Sequence, residues 1–284
     1  MSAADGLNHS GQGAARAALH RCFANVLAAI ALLARPPRRD RRDFWPLRPL
    51  QLVIAAGLAV AGFLLVQFLT DAAAIRGVGH LPGWIGWSFD QITDFGKSGW
   101  FLWPLGILFL ALAALRPLPR VPQLVLAAMM VRVGFLFVAI GAPSLFVTIV
   151  KHIFGRARPL VGGSLDPYLF SPFNWSAAYA SLPSGHATTA FAVLAAFGSL
   201  WSRGRTAFLI YALLIAISRV MVTAHYPSDV LMGAVVGVAG ALLVRRWFAL
   251  QRLGFSVSPD GVLRQWPGPS LRRIKSVARA ALSQ

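Results

Sequence analysis

Apolar residues run in long blocks from about residue 51 to residue 248, with no soluble-looking block between them. Six stretches have spanning length or come close to it: roughly 50 to 70, 98 to 115, 122 to 150, 187 to 201, 205 to 222 and 228 to 248. About 20 residues of helix are needed to cross a hydrocarbon core of about 30 Å. A backbone buried in lipid must satisfy its own polar groups, so all six are expected to be helices. The fourth is short by strict count and reaches spanning length only by borrowing residues 184–189. An earlier apolar run at 22–34 is too short to span and reads as an amphipathic or surface helix. The basic string RPPRRDRR follows it, not the small-residue cleavage site of a signal peptide. The expected fold class is therefore all-α, a six-transmembrane helix bundle over residues 50–248. A basic tail at 1–49, containing the short amphipathic segment, precedes it, and a second basic tail at 249–284 follows.

The polar connections orient the bundle, because short cytoplasmic loops are enriched in Lys and Arg. With the N-terminus inside, the inner side carries both basic tails and Arg116, Arg120, Arg203 and Arg205. The outer side keeps only Arg76, Lys97, Lys151, Arg156, Arg158 and Arg219, and Arg132 is left within a span with no role that the sequence reveals. The outward loop at 71–97 and its far end hold Trp84, Trp87 and Trp100, which suit a helix lying in the membrane interface. Both termini are thus expected to be cytoplasmic. High Arg and Ala content points to a bacterial source, which makes the membrane an inner membrane and the outer face periplasmic.

Composition agrees with a chain surrounded by lipid: 57% of residues are hydrophobic and 13% charged. A formal net charge of +18 would suggest nucleic acid in a soluble protein. Here the cations gather beside membrane segments with no aromatic-interleaved basic stripe, so the bilayer is the expected partner and nucleic acid is not. The tails suit anionic lipid headgroups. All nine acidic residues are Asp, which makes a multi-carboxylate metal site hard to build, and the one cysteine, Cys22, excludes an intrachain disulfide and a cysteine zinc site. No metal or cofactor is expected.

Three outer segments place polar residues at the ends of apolar helices, where desolvation should exclude them. They are KHIFGRARP at 151–159, PSGH at 183–186 and SRVMVTAHYPSD at 218–229. Under the orientation above, all three emerge on the same side. Lys151, Arg158 and Arg219 supply the point charge and guanidinium forks that suit a phosphoryl group. Ser184 and Gly185 stand where a helix begins, and its first N–H groups point outward toward an anion. Pro227 breaks the chain after His225 and sets Asp229 in the first turn of the next helix, four residues on. A carboxylate that takes the proton of one imidazole nitrogen leaves the other free to attack. His225 is therefore the expected nucleophile. His186 is the expected acid that protonates the leaving alkoxide and then the base that activates water against a phosphohistidine. His152 and Arg156 receive no catalytic role, and His80 and Asp166 read as loop residues.

In these motifs the chain resembles the type 2 phosphatidic acid phosphatase family, part of a superfamily that includes vanadium haloperoxidases. The family pattern is Lys, six residues, Arg-Pro; then Pro-Ser-Gly-His; then Ser-Arg, five residues, His, three residues, Asp. Lys151 to Pro159, Pro183 to His186 and Ser218 to Asp229 match every position in order. The resemblance covers roughly residues 50–248. It implies Lys151, Arg158 and Arg219 on the phosphate with Ser184 and Gly185 assisting, His186 as general acid, His225 as nucleophile and Asp229 as its orienter. It also implies catalysis without a metal.

The expected activity is hydrolysis of a lipid phosphomonoester or diphosphate headgroup, on polyprenyl diphosphate, phosphatidylglycerol phosphate, phosphatidate or a lipid A phosphate. These motifs do not distinguish the headgroups. A phosphotransferase on the same fold, a haloperoxidase-type vanadate enzyme and a non-catalytic lipid-binding protein are the alternatives. Bromide-dependent peroxidation would mark the second, and loss of a catalytic residue the third, though none is missing.

Overall fold

A computed structural model describes residues 3–36, 48–258 and 261–283. Most of the basic string after the first apolar run lies outside the described residues. The helices are α1 (Ala3–Ala34), α2 (Pro49–Val66), α3 (Ala72–Gly79), α4 (Gly83–Thr93), α5 (Gly99–Ala114), α6 (Arg120–Phe154), α7 (Gly185–Leu200), α8 (Arg205–Met221), α9 (Pro227–Leu250) and α10 (Leu271–Leu282). Strands β1 (Phe255–Val257) and β2 (Leu263–Gln265) pair antiparallel, with Ser256 opposite Arg264. A π-helical turn, Gln67–Asp71, joins α2 to α3.

The chain divides into two compact units. One comprises Met1–Phe44, Trp103–Phe135 and Arg246–Gln284, and the other Trp45–Leu102 and Leu136–Arg245.

In the first unit the C-terminal residues, read from sequence as a tail, fold. Val277 of α10 is buried with Leu112, Leu118, Val125 and Leu126 at the end of α5 and the start of α6. Phe135 packs edge-on against Phe248 and Phe255, with ring centroids 5.5 and 4.8 Å apart. Arg132 donates to the carbonyls of Ala128, Trp266 and Pro267 at 2.9 to 3.0 Å, so it ties the C-terminal segment to α6. Its place is explained by length: the 35 residues of α6 extend about 50 Å at 1.5 Å per residue, well beyond a hydrocarbon core. The Arg132 end therefore has no need to lie in lipid. Helix α1 makes its contacts at the C-terminal ends of α5 and α9. Asn25 Nδ2 donates to the Ala113 carbonyl at 2.8 Å, and Trp247 Nε1 donates to that of Leu33 at 3.0 Å.

In the second unit α7 lies against α4, α8 and α9. Ala187 is buried with Ala216 and Val230, and Ala190 with Ala212 and Ile215. Along α2, by contrast, Leu50, Val53, Ile54, Leu58 and Leu64 are exposed. A chain in water would not leave such a face open, but lipid covers it.

Among the described residues, six helical stretches are long and apolar enough to cross a membrane: Ala15–Ala34, Pro49–Gly79, Gly83–Ala114, Arg120–Phe154, Ser202–Met221 and Pro227–Leu250. Five of them contain stretches read as spans from the sequence. The fourth expected span is the 16-residue α7, below that length. The reason is burial: Ala187, Thr188, Ala190, Ala192 and Ala196 are wholly enclosed by protein, so α7 needs neither the length nor the hydropathy of a helix facing lipid. Ala15–Ala34 takes its place in the count, because the apolar run begins seven residues earlier than Cys22. Trp84 and Trp87 are exposed on the short helix α4, which opens the candidate span Gly83–Ala114.

Candidate active site

All eight residues expected at the site fall in the second unit, at the C-terminal ends of α6 and α8, the N-terminal ends of α7 and α9, and the segments joining them. Lys151 lies in the last turn of α6. Gly155, with φ of 60°, ends that helix, and the chain then runs beside residues 169–171. Ser171 N donates to the Gly155 carbonyl at 2.7 Å and Ala157 N to that of Leu169 at 3.0 Å. A Cβ on Gly155 would stand 1.7 Å from the Ser171 oxygen, so only glycine allows this pairing. Arg158 is then held by its own N–H, which donates to the Ala178 carbonyl at 2.8 Å.

Ser184 has the extended backbone of an N-cap, yet its hydroxyl makes no cap bond. Its N–H donates instead to the Asp229 carbonyl at 3.0 Å, which joins the starts of α7 and α9. Gly233, one turn beyond Asp229, makes this approach feasible: a Cβ there would lie 2.5 Å from the Ser184 oxygen. Helix α9 starts at Pro227, as the sequence predicts, and Asp229 Oδ2 accepts from Tyr226 N at 2.9 Å, capping that start.

His225 lies in the turn before α9 and is 3% exposed. Its N–H donates to the Arg219 carbonyl at 3.2 Å. Nδ1 is 3.8 Å from Asp229 Oδ2, beyond a direct hydrogen bond. Ser181 Oγ sits between them. It donates to Asp229 Oδ2 at 2.6 Å and lies 3.4 Å from His225 Nδ1. With its own proton committed to the carboxylate, Ser181 can only accept from the ring. Nδ1 therefore carries the hydrogen and Nε2 keeps a free lone pair. Burial pushes the His225 pKa below its ordinary value, the Asp229 carboxylate opposes this, and Arg219 and Arg158 add to the depression.

Arg158 and Arg219 lie near enough to His225 for their charges to act on it. Arg158 feels the Asp229 charge, Lys151 and Arg219 each feel Arg158, and His186 feels Arg219, His225, Lys97 and Arg158. Burial disfavours the Arg158 charge. Arg219 is fixed by a 2.5 Å bond from Nη1 to Thr93 Oγ1. A Cβ on Gly96 would lie 2.9 Å from His186 Cδ2, so the segment after α4 forms a wall against that ring. Among the described site residues, Arg158 Nε, Ser184 Oγ and Arg219 Nε are buried donors with no partner atom. Unsatisfied buried donors cost about 1 to 3 kcal/mol each, and these three belong to the residues read from the sequence as phosphate ligands. Unpartnered donors of this kind suit an anionic group. Among the described residues, no group of three or more His, Cys, Asp or Glu is placed to hold a metal ion.

Four residues of the site had no assigned role in the sequence reading: Thr93, Ser181, Arg156 and Asp71. Arg156 Nη1 donates to Asp229 Oδ1 at 2.5 Å and Nη2 to Asp71 Oδ2 at 2.8 Å, and all three side chains are wholly buried. The one available signal was composition: Gln67 and Asp71 are polar residues in a run otherwise facing lipid, and both are buried on the π-helical turn.

The PAP2 superfamily profile matches residues 132–253, which include all three motifs. The lipid A 1-phosphatase of Rhizobium johnstonii is 34% identical over 239 residues, covering 84% of this chain and 96% of the relative. That of Rhizobium etli is 34% identical over 221 residues, covering 77% and 93%. Among solved structures, Aquifex aeolicus LpxE matches with a TM-score of 0.44 and 21% identity, over 61% of this chain and 93% of that one. With near full-length relatives in which a phosphatase is named, and with the buried donors of the three motifs gathered around two histidines, this chain belongs to the PAP2 superfamily, the type 2 phosphatidic acid phosphatases, and is a membrane lipid phosphatase.

Proposed function

We propose that the protein removes the phosphate at position 1 of lipid A, at the periplasmic face of an inner membrane, through a phosphohistidine on His225. The observation that carries the chemistry is the set of unpartnered buried donors, Arg158 Nε, Ser184 Oγ and Arg219 Nε, beside an imidazole whose Nε2 is free. The choice of lipid is supported by the two relatives named above, which the chain matches over more than nine-tenths of their length.

Lys151, Arg158 and Arg219 hold the phosphoryl oxygens, with Ser184 Oγ and the N–H groups at the start of α7, Gly185 among them. His225 Nε2 attacks phosphorus. The bond from phosphorus to the lipid oxygen breaks, and His186 gives that oxygen its proton. Water then attacks phosphorus, His186 takes the water proton, the phosphorus–nitrogen bond breaks to free His225 Nε2, and phosphate leaves. Asp229, through Ser181, stabilises the positive charge that His225 acquires.

The scarcity of Lys and Arg in the outer loops, against their abundance in the tails, supports an outward-facing site. The contacts of α1 with the C-terminal ends of α5 and α9 favour a helix lying along the inner surface. That arrangement keeps both termini cytoplasmic, with α7 completing the six crossings.

Phosphate release in detergent with EDTA, from lipid A, phosphatidate, phosphatidylglycerol phosphate and polyprenyl diphosphate, tests the substrate. Lipid A is expected to give the highest kcat/KM, with an acid-labile, alkali-stable phosphoenzyme trapped on rapid quenching. A strong preference for another lipid removes the lipid A assignment, and a failure to trap any phosphoenzyme under single turnover removes the covalent step.

The depressed His225 pKa also predicts a pH effect on stability. Folding keeps His225 neutral, while in the unfolded chain it takes a proton near pH 6.5. The unfolded state therefore binds more protons as the pH falls from 6.5 toward the folded pKa, and stability is lost in that window. The unfolding midpoint in detergent should fall from pH 7.5 to 5.5 more steeply for the wild type than for His225→Gln. Equal slopes would mean that the ring is not held neutral.

A further inference from the structure

Arg156 is the largest wholly buried side chain described, and the reaction as written above gives it nothing to do. Its guanidinium has five N–H groups, and all five are used. Nε donates to the Pro167 carbonyl at 3.1 Å. Nη1 donates to Ser228 Oγ at 2.7 Å and to Asp229 Oδ1 at 2.5 Å. Nη2 donates to Asp71 Oδ2 and again to the Pro167 carbonyl, each at 2.8 Å. The group therefore has no donor left for a phosphate, in contrast to Arg158 and Arg219. Its carbon lies 4.6 Å from the centre of the Tyr226 ring, so one face is covered as well.

Asp71 closes the ring of contacts. Its Oδ1 accepts from Ser228 N at 2.9 Å and its Oδ2 from Ser228 Oγ at 2.5 Å. Both carboxylates are thereby tied to the first turn of α9, where Ser228 and Asp229 are neighbours. Gln67, one turn before Asp71, donates to the same Pro167 carbonyl at 3.1 Å. The π-helical turn places these two polar side chains on one face, toward the loop that carries Arg156.

Each contact of Asp229 now has a distinct purpose. Oδ1 accepts from Arg156 Nη1, while Oδ2 accepts from Tyr226 N and the Ser181 hydroxyl. The carboxylate cannot rotate away from Ser181 without giving up the Arg156 bond. The direction of the Ser181 proton, and through it the Nδ1–H tautomer of His225, depends on that restraint. Two carboxylates and one guanidinium leave one net negative charge behind His225, facing the positive charge that the ring acquires on phosphorylation. A buried ion network costs desolvation and is often no more stable than apolar packing. Its retention here, one bond from the residue that orients the nucleophile, needs a reason beyond stability.

We infer that Arg156, braced by Asp71, is a positioning residue that holds Asp229 and thereby sets the tautomer and charge balance of His225. The inference rests on the proposed roles of His225 and Asp229.

A double-mutant cycle tests it. Arg156→Gln is compared with wild type, and again in an Asp229→Asn background, reading kcat, KM and the inhibition constant of inorganic phosphate. In the wild-type background, Arg156→Gln should lower kcat about 10- to 100-fold, as loss of an outer-shell partner commonly does. KM and the phosphate constant should stay within about threefold, because the phosphate ligands are intact. In the Asp229→Asn background the same change should cost less than about threefold, since the group through which it acts is already neutral. Arg156→Lys should recover part of the rate. Equal losses in both backgrounds, or a loss of phosphate binding along with kcat, would overturn the inference. If Arg156→Gln does not fold, Asp71→Asn replaces it in the same cycle, with the same expected pattern. Full activity in Asp229→Asn alone would instead sink the role given to Asp229, so the two failures are distinguishable.

Discussion

Replacing His225 with alanine is expected to lower kcat for phosphate release by a factor on the order of 10⁴ or more, while inorganic phosphate still inhibits with a constant within about threefold of the wild-type value. The size follows from the chemistry: no other side chain in the site combines burial, a free imidazole nitrogen and a carboxylate held behind it through Ser181. The retained binding follows from the geometry, because Arg158, Arg219 and Ser184 take their positions from bonds made by their own backbone or by Thr93. His186→Ala added to His225→Ala should change the rate little further, since an acid that serves a covalent step has nothing left to serve. Initial rates and phosphate inhibition on both variants check this. Residual activity above about one-hundredth of wild type would mean that water attacks phosphorus directly, with His225 in another role.

The second large effect concerns backbone. Gly155→Ala is expected to destabilise the protein by about 3 kcal/mol and to lower kcat at least about 100-fold. The residue combines a φ of 60° with a Cβ position 1.7 Å from the Ser171 oxygen, so a methyl group forces the paired segments apart. Arg156 and Arg158 lie one and three residues further on. The segment carrying them is aligned through Ser171 N to Gly155 O and Ala157 N to Leu169 O. Moving it displaces Arg158 and the Arg156 bond to Asp229 together. The unfolding midpoint in detergent and kcat/KM report the two consequences. A variant with normal stability and normal rate would show that residues 169–171 do not fix this loop.

Part of this description was legible in the chain itself. Hydropathy marks five of the six spanning stretches, because exposure to lipid makes each of those helices apolar by its own composition. Pro227 marks the start of α9, because a proline has no N–H to contribute and fits a first helical position. The eight motif residues could be named because each stands in a short, ordered pattern at the end of an apolar run. In α7 and α1 the same reading was less successful. Protein, not lipid, encloses α7, so its hydropathy reports its neighbours' chemistry. The apolar part of α1 extends back through Ala15–His20, where polar residues interleave and hide the run from inspection.

By itself, then, the sequence determined the class of fold, the family resemblance and the set of residues proposed to handle phosphate. All of these follow from local composition or from fixed spacing. Only the tertiary structure decided how those residues are held. Arg156 meets Asp229 across 73 residues and Asp71 across 85, Ser228 meets Asp71 across 157, and Arg219 meets Thr93 across 126. Arg132 likewise finds Trp266 and Pro267 more than 130 residues away. No periodicity or local pattern encodes such pairs. The buried pairs exist because packed helices bring polar groups to the same depth, where each must find a partner that water cannot supply.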